Sequence, residues 1–68
     1  MRPISGKRMC RALEHRGWEY DHTSGSHRVY KHANFPMTLS VPVHGNRDMK
    51  IGTQLNLMRQ AGLKEADL

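Results

Sequence analysis

The chain is short of cysteine, aromatic residues, acidic residues and long apolar runs. It has a single cysteine, Cys10, so no disulfide can close within it. A lone thiol outside any disulfide framework fits a reducing compartment, and a cytoplasmic location is expected. No apolar run approaches the roughly 20 residues a membrane-spanning helix needs, so no membrane partner is expected. Arg2 and Lys7 are not followed by the apolar stretch of a secretory signal. The aromatic residues are Trp18, Tyr20, Tyr30 and Phe35 alone, which limits the core. At 68 residues the expectation is one domain spanning residues 1–68. A chain of this size buries only about 60% of its unfolded surface, so a partner that adds stability is in character.

Metal-binding patterns are also missing. There is no C-x-x-C and no helical pair of histidines at zinc spacing. Glu14, Glu19, Asp21 and Asp48 are scattered, whereas two-metal nuclease chemistry needs clustered carboxylates. Neither a metal nor a small-molecule cofactor is expected.

Positive charge is abundant. Lysine and arginine number 11 against 6 acids, giving a net charge of +5, which points to a polyanionic partner. Arg2, Lys7, Arg8, Arg11 and Arg16 share the first segment with one acid, Glu14. Arg28, Lys31, Arg47 and Lys50 follow, and Glu65 and Asp67 lie at the far end.

The pattern predicts a helix from about Gly6 to Arg16. Ser5 is its N-cap, Ile4 and Met9 form a hydrophobic staple, and Gly17 is the left-handed stop. Met9, Ala12 and Leu13 face the core, which leaves Lys7, Arg8 and Arg11 outside as candidate RNA contacts. Trp18 to His22 alternates as a strand, with Trp18 and Tyr20 inward. Thr23-Ser24-Gly25 is turn chemistry, and His27 to Lys31 is the second strand of a hairpin. Thr38 to Val43 is a third strand, whose Pro42 calls for an exposed edge. A last helix begins between Lys50 and Thr53, carries Ile51, Leu55 and Met58 on its apolar stripe with Leu57 and Ala61 widening it, and ends at Gly62. Gly52-Thr53 either caps that helix or leaves its first amides open to an anion. The expected fold is α+β, in the order α-β-β-β-α. A three-stranded antiparallel sheet carries both helices on one face and leaves the other face open.

The Gly25-Ser26-His27 tripeptide stands out between the two hairpin strands. RNA supplies its own nucleophile, the 2′-hydroxyl. Cutting it requires a base for that proton, charge stabilisation at the phosphate and a proton for the leaving oxygen. Histidine, with an ordinary pKa of about 6.5, suits the proton work. His27 is the candidate general base, and Arg28, Lys31 and Lys50 are candidates to stabilise phosphate charge. Gly25 lets backbone approach RNA, and Ser26 is placed to orient the imidazole or reach a phosphate oxygen. His44 is a secondary candidate if the loops converge on His27. His22 and His32 flank the hairpin, where they can meet across it. Tyr30 and Phe35 are candidates for base stacking. Trp18 and Cys10 read as core.

Several stretches together resemble the HicA family of bacterial toxins. They are Gly25-Ser26-His27, Val41-Pro42-Val43-His44, Gly52-Thr53 followed by Leu55, and Arg59-Gln60-Ala61-Gly62-Leu63. Ser5-Gly6 and Leu13 to Trp18 extend the likeness over essentially the whole chain. The resemblance implies a fold similar to the double-stranded RNA-binding domain, ribosome-independent mRNA cleavage and neutralisation by a HicB antitoxin. It places the family's catalytic histidine on His27 and the glycine before it on Gly25. Metal-independent cleavage is the favoured reading. The alternatives are an RNA-binding module that does not cut, and an interaction subunit whose basic face docks an acidic partner. The antitoxin is expected to cover His27, with acidic groups opposite Arg28 or Lys31.

Overall fold

Ser5 opens the first helix as its side chain predicts. In the computed structural model, which describes residues 1–68, α1 spans Gly6–His15. Ser5 Oγ accepts the Arg8 amide proton at 3.2 Å, which satisfies one of the helix's orphan donors. Ile4 and Met9 are both buried, as a staple requires. Met9, Cys10, Ala12 and Leu13 form the inward stripe. Gly17, at φ 91°, then turns the chain so that the Trp18 amide donates to the Leu13 carbonyl at 3.0 Å.

The strands are β1 (Glu19–Ser24), β2 (His27–Lys31) and β3 (Leu39–Pro42), an antiparallel sheet in the order β1-β2-β3. Ser24 pairs with His27, so the turn is Gly25-Ser26 rather than Thr23-Ser24-Gly25. Gly25 sits at φ 61° and Ser26 does not share the positive φ. That is the type II′ pattern, whose twist matches the strands it joins and lets Thr23 and Ser24 stay in the ladder. The register slips between Tyr20 and His22, leaving Asp21 as a bulge on the outer strand.

Strand alternation sorts the two sheet faces. Tyr30, Leu39 and Val41 are buried in one core together with residues of both helices, and Arg28 shares their face. His27, Val29, Lys31 and Ser40 project from the opposite face, which no helix covers. This is the α+β arrangement of a double-stranded RNA-binding domain. Gly6 lets α1 approach closely, because a methyl group there would overlap the Pro42 carbonyl oxygen.

Three packing expectations need correction. Tyr20 pairs with Tyr30 and so points to the helix side, yet it is 52% exposed. It lies on an edge strand that has no buried residue. Trp18 is in the core but precedes β1 rather than belonging to it. The third concerns α2 (Ile51–Ala61), which buries Gln54, Leu57, Met58 and Ala61, while Ile51 and Leu55 are each 42% exposed. Gln54 takes the inward place because its amide ties down the chain's first residues. Its Oε1 accepts the Ile4 amide proton at 2.7 Å and its Nε2 donates to the Arg2 carbonyl at 2.9 Å. Ile4 in turn accepts from the Met49 amide at 2.8 Å, and Ser5 bridges to Asp48. Residues 2–5 therefore bind α2 to the segment that precedes it. Gly62, at φ 72°, ends α2, and the Leu63 amide reaches back to the Met58 carbonyl at 2.8 Å, a Schellman closure.

Trp18 packs against Phe35 with ring centroids 4.9 Å apart and against His32 at 5.2 Å. Its indole N–H is buried without a partner. Tyr30 is too deeply buried to stack on a base. Its hydroxyl donates to Glu14 Oε2 at 2.7 Å, and burial, followed by that bond, pushes its pKa up. No helix is long and apolar enough to cross a membrane.

Candidate functional site

The Gly25-Ser26 turn delivers His27 to the first position of β2, on the open face of the sheet. Its ring is exposed, and Nδ1 lies 3.1 Å from Ser40 Oγ on the neighbouring strand. Pro42, which has no amide proton, lies directly opposite His27 on β3, an edge strand as expected.

Beside His27 the surface opens into a cavity of about 510 Å³. The sheet contributes His27, Ser40 and Pro42 to its lining. The segment after β3 contributes His44, Arg47, Asp48, Met49 and Lys50, and α2 adds Thr53. That volume lies within the usual range for small-ligand sites, about 300–1,000 Å³. Neither Arg47 nor Lys50 forms an ion pair within the chain. Lys50 is also the N-cap of α2 and makes no side-chain capping bond, so the helix begins with its amides uncapped. A helix N-terminus carries partial positive charge and free N–H donors. The cavity thus combines two imidazoles, two unpaired cations, hydroxyls on Ser40 and Thr53 and the positive end of a helix. Asp48 is its one carboxylate. These groups suit a phosphate-bearing ligand, with a proton-transfer group alongside.

The structure gathers His27, His44 and Lys50 and separates the other candidates from them. Arg28 is next to His27 in sequence but lies on the opposite sheet face, in a hollow with Glu14, Tyr20, Thr23 and Tyr30. Adjacent residues of a strand point to opposite faces, so Arg28 does not stabilise charge beside His27. Lys31 shares the open face but stands at the far end of β2, with its ammonium 3.5 Å from Asp21. The bond from His22, at 2.7 Å, is the main reason the Asp21 carboxyl is held below its usual range. Arg8 donates to the Leu68 carbonyl at 3.0 Å and Arg16 lies 3.8 Å from Asp67, so the C-terminal segment occupies part of the basic helix. Lys7 and Arg11 are exposed on α1 and do not line the cavity. Gly25 serves the turn. Ser26 makes no side-chain hydrogen bond, and its carbonyl accepts the Val43 amide at 2.8 Å. The hydroxyl that meets the His27 ring belongs to Ser40.

Nor do His22 and His32 meet across the hairpin. His22 bonds Asp21. His32 accepts the Asn34 amide on Nδ1 at 3.0 Å and donates from Nε2 to the Arg16 carbonyl at 3.2 Å. Its ring is fixed against Trp18 and Phe35 in a structural role. Cys10 is buried, and that burial pushes its thiol pKa up, away from nucleophilic work.

Ser40 and Arg47 are the site residues that sequence reasoning missed, whereas Thr53 belongs to the Gly52-Thr53 pair already expected to cap the last helix or leave its first amides open to an anion. Ser40 left a signal: it is polar between Leu39 and Val41, so alternation sends it to the open face. Arg47 left a weaker one, as a cation three residues before Lys50 in a turn segment.

A search of curated proteins finds none that matches the chain. A family model described as the HicA toxin of bacterial toxin-antitoxin systems matches residues 6–63, from the first residue of α1 to just past the end of α2. The matched span holds the His27 turn, the cavity and both helices, and the chain belongs to the HicA toxin family.

Proposed function

We propose that this toxin acts as a ribonuclease that cuts mRNA at the His27 cavity without a metal ion. The observation that carries the reading is an exposed imidazole beside two cations that have no partner in the chain, at the open start of a helix. RNA backbone fits this site because each phosphate brings the negative charge that Arg47, Lys50 and the first α2 amides lack.

The step follows from the groups present. His27 takes the proton of the 2′-hydroxyl. The 2′-oxygen attacks phosphorus and the P–O5′ bond breaks, leaving a 2′,3′-cyclic phosphate. The departing 5′-oxygen takes a proton and leaves as a hydroxyl. His44 is the second proton carrier lining the cavity and the candidate for that delivery. Arg47 and Lys50 offset the extra charge that builds on the phosphate oxygens during the attack.

Family membership implies an antitoxin partner, since the family is defined by toxin-antitoxin systems. The proposed HicB-type antitoxin closes over His27. Its acidic groups oppose Arg47 and Lys50, because Arg28 faces the other way and Lys31 is already paired with Asp21.

The test is digestion of unstructured RNA by the wild type and by His27→Ala, with analysis of the new ends. Wild type is expected to leave cyclic phosphate and 5′-hydroxyl ends. The variant is expected to stay folded and bind RNA but cut at least about 100-fold more slowly. Undiminished cutting by the variant would remove His27 from the mechanism. RNA binding by wild type without new ends would establish a binding module instead.

A further inference from the structure

Three serines lie close to His27 in different senses. Ser24, its partner across the hairpin, makes no side-chain hydrogen bond. Ser26 precedes it in the chain and makes no side-chain hydrogen bond. Ser40 is thirteen residues away in sequence, and its hydroxyl lies 3.1 Å from Nδ1. The register explains the meeting: Val29 pairs with Ser40 and His27 with Pro42, so Ser40 is a diagonal neighbour of His27 on one sheet face. Ser40 Oγ has no other partner in the chain, and neither has His27 Nε2.

We propose that Ser40 is a positioning residue that holds the proton of neutral His27 on Nδ1 and so leaves the lone pair on Nε2. This inference rests on the ribonuclease reading and deepens it. A neutral imidazole has one donor nitrogen and one acceptor nitrogen, and a hydroxyl can meet either. The two choices differ once the ring takes up a proton. In the imidazolium both nitrogens are donors. A serine that accepts from Nδ1–H keeps its bond through proton uptake, and the bond strengthens as the ring becomes charged. A serine that donates to Nδ1 must turn away at the moment the base works. Only the accepting arrangement leaves an unprotonated nitrogen ready for the 2′-hydroxyl.

His32 provides an internal reference. The Asn34 amide donates to its Nδ1, so its proton belongs on Nε2, the opposite tautomer. Two histidines on one small chain are therefore expected to show opposite nitrogen signatures in the same spectrum.

The experiment is nitrogen-15 NMR of the intact protein at a pH where both rings are neutral, together with cleavage kinetics for Ser40→Ala and Ser40→Thr. In wild type, His27 is expected as the Nδ1–H form and His32 as the Nε2–H form. Ser40→Ala is expected to return His27 toward the Nε2–H form that imidazole prefers in water, while His32 stays unchanged. The same variant should lose about tenfold in kcat, with KM within about twofold, the loss of one hydrogen bond made to a developing cation. Ser40→Thr keeps the hydroxyl and should restore both the tautomer and the rate. An Nε2–H signature for His27 in wild type, or wild-type cutting by Ser40→Ala, would overturn the proposal. If the wild type cuts no RNA, the ribonuclease reading fails by itself, and the tautomer spectra still decide whether Ser40 holds the ring.

Discussion

Replacing Gln54 with alanine tests the tie between the first residues and α2. Gln54 is 0% exposed and bonds two backbone groups about fifty positions earlier in the chain. Alanine keeps the helix but removes both partners. The Ile4 amide is buried in its bond to Gln54, so leaving it without an acceptor costs about 1–3 kcal/mol. The Arg2 carbonyl is only partly buried, and water can replace its donor at little cost. Loss of the buried methylene beyond Cβ adds about 0.8 kcal/mol. Together these give a loss of about 2–4 kcal/mol. For a domain of this size each kcal/mol moves the melting temperature by about 4–8 °C, so a fall of at least about 8 °C is expected in a thermal melt. Gln60→Ala, an exposed site on the same helix, is the control. Amide exchange at Met49, whose N–H is held by Ile4, should quicken in Gln54→Ala alone, because releasing Ile4 loosens the wall that carries Lys50. If both variants melt within about 2 °C of each other, the tie contributes nothing and the argument is wrong.

Gly6→Ala should destabilise the protein by about 1–3 kcal/mol in urea unfolding, because the new methyl meets the Pro42 carbonyl. A gain of stability, as helix propensity alone would give, would show that the contact has room to relax. At alkaline pH the unfolded chain releases the Tyr30 and Cys10 protons near their ordinary values of 10.0 and 9.0, while the folded protein holds them longer. Raised native values mean stability is complete below those pH values and falls as pH rises through them. Tyr30→Phe should flatten the fall above about pH 10, though it should be less stable at neutral pH for want of the bond to Glu14. An unchanged alkaline slope in that variant would show that Tyr30 is not the group responsible.

Much of the fold was legible because its signals are local. Ser5, the Met9–Leu13 stripe, Gly17 and Gly62 mark helix limits within a few residues of where they act. His27 was legible for the same reason, since the turn that presents it is its immediate neighbour. What escaped depends on partners far away in the chain. The helical period alone put Ile51 and Leu55 inward, and nothing near Gln54 announced that two backbone groups at the other end of the chain were waiting for its amide. Ser40 joins the site only once the β2–β3 register is known. Strand alternation alone sets Arg28 on the face opposite His27, but which of the two faces is covered is decided by the burial of Tyr30 under the helices.

The kink at Asp21 bears on how copies of this protein behave when crowded. A sheet that finishes on a straight, bare strand offers a template on which another molecule can zip its own backbone. Here the outermost strand is bent by an unpaired residue whose carboxylate is drawn toward His22 and Lys31. The break interrupts the run of free amides and carbonyls, so strand-by-strand stacking into fibres is discouraged along the β1 edge of the sheet.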